Sequence, residues 1–343
     1  MLVKGECFDD LDAVAKVARG TLDRNAQPAP FDRLGWFRRT WALVPPGIAP
    51  LMIRARSDGA DAWLFLARER RDRLVPLASW YTLAFSPVYS ATPDALLKRR
   101  LLRAIARRLR APALGIASIS LSPVPDEEAQ ALARAFRRAG WLSIVRPATA
   151  NWRLNVNGRI FSEYWAARPG QLRSTVERKR TDLGIEIFDH FDAAAWDAYE
   201  QVYGESWKPA EGSPTFLRNF AEEEGGAGTL RIGVARLGGR PIAAQLWTVE
   251  NGVAIIHKLA HAEDAREHSP GTVLSAAMFE RAIDMDGVQT IDFGTGDDAY
   301  KADWMDEKRV LQRVDLFNLS RPTAWPRAAW AWLSALVRGR RVD

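Results

Sequence analysis

A chain of 343 residues, 47% of them hydrophobic, is too long for one ordinary core, suits two domains, and is too apolar to be a disordered polypeptide. Its 48 basic and 42 acidic residues leave a net charge of +6, an excess so small that local clusters matter more than the total. A single cysteine, Cys7, rules out an intramolecular disulfide; no Cys/His group has zinc-ligand spacing, no run of about 18 apolar residues marks a spanning helix, and the first twenty residues resemble neither a signal peptide nor an anchor, so a cytoplasmic setting without metal is expected.

The periodicity predicts helices over about 9–19 and 31–43, the second with an aromatic face of Phe31, Trp36, Phe37 and Trp41. Pro45, Pro46, Gly47 and Pro50 then break the chain, and the runs LMIRARS, AWLFLARER, RLVPLAS and YTLAFSPVYS read as strands at meander spacing. A helix is predicted at about 93–110. Leu97, Leu101, Ile105 and Leu109 form its apolar stripe beside the basic face of Lys98, Arg99, Arg100, Arg103, Arg107 and Arg108. A strand (ALGIASISL), a helix at about 126–139 and the strands WLSIVRP and NWRLNV complete this half.

The second half repeats that order. A basic segment, RPGQLRSTVERKRTDLG, precedes the strand IEIFDHF, and helices follow at about 192–206 and 214–223. The strands LRIGVARLG, PIAAQLWTVE and VAIIHKLAH are joined by Gly238-Gly239 and by Asn251-Gly252, the latter a strong hairpin signal. A long helix runs from Pro270-Gly271 to about 285, before the strands TIDFGTG and RVLQRVDLFN. The shared order is a coarse internal duplication and implies an α+β fold with a mixed sheet in each half.

Four stretches carry a family likeness. They are Ser206-Trp207-Lys208 after a helix, Gly239-Arg240-Pro241-Ile242-Ala243-Ala244-Gln245 in a hairpin, Ser269-Pro270-Gly271-Thr272 opening the long helix, and Asp292-Phe293-Gly294 with Asp297, Tyr300-Lys301 and Trp304. In that order and spacing, Phe161 to Asn318 resembles the GNAT acyltransferase domain of CelD-like cellulose-biosynthesis proteins and, more distantly, the Fem-type aminoacyl transferases. The first half shares only the element order, as in tandem GNAT proteins whose first domain is degenerate. The resemblance implies acyl-CoA as donor, an amine as acceptor and no metal. The expected division is a degenerate GNAT-like domain at 1–158, an acyltransferase domain at 159–320 and a Trp/Arg-rich amphipathic tail at 321–343.

Amide formation from a thioester requires that the donor pyrophosphate be held, the carbonyl polarised and the ammonium deprotonated. Gly271, Thr272 and Val273 can offer backbone N–H groups at a helix start preceded by His268 and Ser269, with Arg266 able to pair with phosphate. An ordinary Ser-Pro-Gly helix start is the alternative. Lys301 is the side-chain candidate for the oxyanion, where a Fem-like resemblance would place a lysine, or else a solvated lysine among Asp297, Asp298 and Asp303. The candidate bases are His257, Asp297 and His261. Strand alternation predicts His257, Leu259 and His261 on one side and Lys258 on the other, and either histidine can instead be a hydrogen-bonded core residue. Tyr300 is the candidate acid for the leaving thiolate. Gln245, odd in an apolar strand, needs a partner for its amide, either in the site or in a neighbouring loop. Trp207 and Lys208 are read as lining the acceptor groove.

The tail holds Trp325, Trp330, Trp332, Leu333, Leu336 and Val337, then Arg338, Arg340 and Arg341. This is the composition of an interfacial helix on an anionic membrane surface, and it suggests a peripheral enzyme on the inner face of the cytoplasmic membrane. The acceptor is then a lipid amine such as a sphingoid base, as in a ceramide synthase, or an amino sugar of an envelope polysaccharide. An aminoacyl transferase using charged tRNA and a non-catalytic envelope scaffold are the alternatives; no nucleic-acid recognition motif is present.

Overall fold

A computed structural model describes residues 3–57 and 59–339, with the last helix's side chains described to Ser334. The chain forms two compact units, residues 1–149 with 310–343 and residues 150–309. The sequence reading placed the divisions at 158/159 and 320/321. The chain instead leaves the first unit inside one strand and returns inside another, because both strands are long enough to serve two cores.

The first unit contains β1 (Lys4–Phe8), α1 (Leu11–Ala18), α2 (Leu34–Trp41), β2 (Ala49–Arg56), β3 (Asp61–Arg70), β4 (Arg73–Pro76), β5 (Val88–Tyr89), α3 (Ala95–Leu109), β6 (Ser118–Pro125), α4 (Asp126–Arg137) and the start of β7 (Leu142–Asn155). Its strand order is β1-β2-β3-β4-β6 followed by a strand from the chain's end, with β5 on β3. The meander strands β2 and β3 are nearly continuous apolar runs because helices cover both faces, α3 on the side of Gly5, Ala55 and Ala62 and α2 on the side of Phe65. Phe37 of α2 stacks on Phe65 of β3 at 3.8 Å, and the α3 stripe of Leu101, Ile105 and Leu109 is fully buried while Arg99, Arg100, Arg103 and Arg107 are exposed. The run YTLAFSPVYS, expected as a strand, is strand only at β5; Tyr81 and Phe85 anchor the rest as a buried loop. The two strands expected at 141–156 are one, β7.

The second unit contains the end of β7, α5 (Phe161–Ala166), α6 (Gly170–Lys179), β8 (Gly184–Phe188), α7 (Ala193–Gly204), α8 (Pro214–Gly226), β9 (Leu230–Leu237), β10 (Arg240–Glu250), β11 (Val253–His261), α9 (Pro270–Glu280), β12 (Thr290–Thr295) and the start of β13 (Glu307–Phe317). Its order is β7-β12-β11-β10-β9-β8. The β9–β10 and β10–β11 hairpins follow Gly238-Gly239 and Asn251-Gly252, whose positive φ values suit tight reversals. The α9 helix is apolar on nearly every side because it lies between sheet and outer helix, with Phe279 stacked on Tyr164 and edge-on to Trp247.

After β13 the chain ends in α10 (Trp325–Gly339). Ala324, Ala328 and Ala331 pack this segment on Ala117 and Phe317 of the first unit, while Trp325, Trp330, Trp332 and Leu333 are exposed. Arg340 and Arg341 lie outside the described residues.

Gly225 in the last turn of α8 leaves no room for a side chain, since a Cβ there would fall 2.7 Å from the backbone nitrogen of Phe191. Backbone cannot yield as a flexible side chain does. Gly225→Ala is therefore expected to lose about 1–3 kcal/mol of stability, read as a lowered thermal midpoint of the purified protein.

Candidate active site

The site forms where two strands of the second unit part. β11 and β12 run parallel for only three residue pairs, Val253↔Thr290, Ala254↔Ile291 and Ile255↔Asp292. The bend lies in β12. The Asp292 carboxylate accepts from the Gly294 N–H at 2.8 Å and from the Asn151 amide at 2.7 Å, and Gly294 takes φ +67°. This local bond, with a residue free to adopt the left-handed region, turns the strand toward β7. From Ile256 to His261, β11 pairs with β10 alone, so its other edge is open.

The N-terminus of α9 stands at the end of that edge. Ser269 precedes it at φ +48° without a side-chain cap bond. The amides of Thr272 and Val273 turn back to the Ser269 carbonyl at 3.0 and 3.1 Å, which leaves the Gly271 N–H and the Thr272 hydroxyl as the donors. A Cβ on Gly271 would lie 3.3 Å from the His261 ring, so glycine lets the helix start approach β11 closely. Gln245, fully buried on β10, fixes that start. Its amide donates to the Gly271 carbonyl and to Ser275 Oγ at 2.8 Å, and its oxygen accepts from the Trp247 indole at 2.8 Å. The amide's partners are thus in α9, which resolves the alternative left open by the sequence.

A one-residue bulge in β11 changes which way its side chains point. Leu246 pairs with Lys258 and Trp247 with Ile256, so His257 is the extra residue. Its Nε2 meets Thr248 Oγ1 at 2.8 Å, and its ring lies edge-on to Phe220 of α8. The next residue, Lys258, pairs with Glu211 in the α7–α8 loop at 2.8 Å. His257 and Lys258 therefore both reach the α7–α8 layer, whereas His261 meets Gly271 and makes a tilted contact with Trp207 at 4.4 Å. The expected common side of His257 and His261 is not found, because the bulge breaks period-two alternation. Burial pushes His257 down to about 4, with the opposing Glu224 charge a smaller influence.

At the mouth of the opening, Lys301 is buried in the turn after β12. Its ammonium donates to the Thr295 carbonyl at 2.7 Å and stands 3.4 Å from Asp298. Burial lowers its pKa and the neighbouring Asp298 opposes the shift. Tyr300 packs edge-on against Phe293 and is pushed up to about 12 by burial and by Asp298, so it stays a proton donor at neutral pH. Asp297 is engaged at the surface with Lys308 at 2.7 Å. Trp207 is 51% exposed, and Lys208 beside it is half-buried. Arg266 is exposed in the turn before α9; His268 is half-buried there, with Nδ1 unpartnered among the described residues. Sequence reasoning missed Glu211, a lone acid in a polar loop that only the fold brings to Lys258.

The first unit repeats the parting strands without the opening. β4 and β6 pair over Arg73↔Ser118 and Leu74↔Ile119 only. The following loop then takes the vacated edge, with the Phe85 N–H donating to the Pro123 carbonyl of β6 at 2.7 Å. The Asp94 carboxylate caps α3, accepting from the Leu97 N–H at 2.7 Å.

Residues 164–302 match the family described as the acetyltransferase (GNAT) domain. Three solved structures share the fold. FemX aligns over 92% of this chain and 98% of its own at 11% identity and TM-score 0.59. A tandem GNAT protein from the clavulanic acid biosynthesis pathway aligns over 91% and 98% at 15% and 0.52. The C-terminal domain of a putative lysylphosphatidylglycerol synthetase from Agrobacterium fabrum aligns over 80% and 85% at 14% and 0.52. A comparison with curated proteins returns no match. Residues 164–302 therefore carry a GNAT acetyltransferase domain, and the chain shares its fold with FemX and with a tandem GNAT protein.

His257 carries a pH signature. Its folded pKa of about 4 lies below the ordinary histidine value of 6.5, so the unfolded chain binds the proton first as pH falls. Its contribution is complete above about 6.5 and is lost between there and about 4. The urea midpoint of the native protein should fall over that window, and His257→Gln should flatten the fall. An equal fall in both proteins would assign the acid sensitivity elsewhere.

Proposed function

We propose that the second unit moves an acyl group from an acyl-CoA to a primary amine, and that the amine is lipidic and met at a membrane surface. The observation that carries the first half is the open edge of β11 beside the uncapped start of α9. The donor's pyrophosphate would lie on the Gly271 N–H, the Thr272 hydroxyl and Arg266, favoured by the helix dipole. Its extended arm would run along the open edge and bring the thioester toward Lys301.

His261 is the proposed base in preference to His257. A ring nitrogen held neutral down to about pH 4 is a poor proton acceptor. His261 Nδ1 lies 3.1 Å from the Ala262 carbonyl, which makes it the protonated nitrogen and leaves Nε2 to accept. The ammonium proton passes to Nε2, the amine nitrogen attacks the carbonyl carbon, the C–S bond breaks, and the extra proton left on that nitrogen passes to the tyrosinate formed when Tyr300 protonates the thiolate. The Lys301 ammonium and an N–H of the β11 edge face the oxyanion, and Tyr300 gives its proton to the leaving thiolate.

The lipidic acceptor is supported by α10. That helix buries Ala328 and Ala331 and exposes Trp325, Trp330, Trp332 and Leu333. Indoles displayed on a helix suit the headgroup level of a bilayer. No helix among the described residues is long and apolar enough to cross a membrane, so the contact proposed is peripheral. The structural neighbour named for lysylphosphatidylglycerol is in keeping with a lipid acceptor.

Acetyl-, medium- and long-chain acyl-CoA should each raise the thermal midpoint with concentration, and the rise should grow with chain length if the donor is lipidic. No shift with any of them would sink the acyl-CoA reading in favour of an aminoacyl ester donor or a scaffold.

Removing the tryptophans of α10 tests the membrane contact separately. Trp330→Ala with Trp332→Ala should cut co-sedimentation with phosphatidylglycerol-containing vesicles by about tenfold or more, since each large apolar side chain contributes roughly 1.5–3 kcal/mol. Turnover of a water-soluble amine should stay unchanged. Undiminished vesicle binding would remove α10 from the membrane contact.

A further inference from the structure

Three lysines converge at the mouth of the second unit, and only two have an anionic partner. Lys258, on β11, pairs with Glu211 at 2.8 Å. Lys301, after β12, is held by the Thr295 carbonyl at 2.7 Å with Asp298 at 3.4 Å. Lys208, in the loop after α7, has no carboxylate partner among the described residues. Its ammonium lies 5.7 Å over the Trp207 ring, and that ring in turn meets His261 in a tilted contact at 4.4 Å. Burial and the charges of Lys258 and Lys301 push Lys208 down to about 8. A half-buried cation among like charges costs free energy unless a counter-charge binds it; Asp298 and Glu211 oppose the shift only as smaller influences, and neither forms an ion pair with Lys208 among the described residues.

We infer that Lys208 receives an oxyanion of the acceptor, so the acceptor is an amine that also carries a phosphate or carboxylate group. The inference rests on the acyl-transfer reading above. The donor's phosphates have their own place at the start of α9, with Arg266 and the Gly271 N–H, so the second anion falls to the acceptor. An acceptor whose only charge is its ammonium would meet an unbalanced lysine and be repelled. An acceptor with an oxyanion neutralises Lys208 and sets its amine beside Trp207 and His261. This narrows the lipidic amine to one with an acidic headgroup and disfavours a simple sphingoid base.

Calorimetric titration of the full chain with phosphoethanolamine, β-alanine and ethanolamine tests the assignment, with CoA as a fourth ligand. Phosphoethanolamine or β-alanine should bind and ethanolamine should not; which of the two binds more tightly distinguishes phosphate from carboxylate. Lys208→Met should weaken the anionic probe by about tenfold or more, the scale of a lost charge-assisted hydrogen bond, and leave CoA affinity unchanged. Native binding should fall as pH rises through about 8, where the Lys208 ammonium discharges. Lys208→Arg should keep the binding and remove that fall, because a guanidinium stays charged. Equal binding of the probes to native and Lys208→Met protein, or binding of ethanolamine as tight as that of phosphoethanolamine, overturns the proposal. A loss confined to CoA also overturns it and assigns the anion to the donor. If CoA fails to bind the native protein, the acyl-CoA reading falls, while the Lys208-dependent difference among the small amines still decides this inference.

Discussion

β12 can follow β11 for three residues and no further. Asp292 spends its carboxylate on the Gly294 N–H and on Asn151, and Gly294 accepts the left-handed backbone that the bend demands. Had the pair continued, the far half of β11 would be an ordinary inner strand with every edge group satisfied. Because it stops, β11 keeps an open edge in the interior of the sheet. The start of α9 can then sit at the end of that edge, held by Gln245 from β10. Each feature proposed for donor binding depends on this early parting.

The bulge at His257 acts on the same strand with a different consequence. One extra residue places two consecutive side chains, His257 and Lys258, toward α7 and α8. His257 is thereby sequestered with Thr248 and Phe220, and Lys258 is delivered to Glu211. The mouth is left to His261, Trp207 and Lys208. Strict alternation would instead put His257 and Lys258 on opposite faces of the strand.

The element order, the hairpins and the long helix after Pro270 were legible because each has a local cause: Asn-Gly at a reversal, an apolar run of strand length, a proline at a helix start. The candidate residues could be named one by one from the sequence, but their arrangement could not. Gln245 announced itself as a polar residue in an apolar strand, and its partners proved to be the first turns of α9. The side taken by His257 was not legible, since a bulge is decided by pairing with another strand and alternation cannot register it. Glu211 was invisible for a similar reason: nothing local separates it from other acids in polar loops. The points where the chain passes between the two units fall inside the strands β7 and β13, where no glycine marks them and Pro147 does not break the strand.

The duplication shows how little separates an open GNAT-like cleft from a closed one. In both units a parallel pair ends early, and in both a helix starts nearby. In the first unit the helix start is satisfied by the Asp94 carboxylate, which places a negative charge where a phosphate would need to lie. The freed edge of β6 is taken by the loop that carries Phe85. In the second unit Ser269 makes no cap bond, and the edge of β11 stays bare. Leaving an edge and a helix start unsatisfied costs stability, and the first unit has been relieved of that cost while the second has not. A protein whose two halves needed only to be scaffolds would have no physical reason to keep that difference. The retained openness, on the half that also gathers His261, Lys208, Tyr300 and Lys301, is what a ligand would repay.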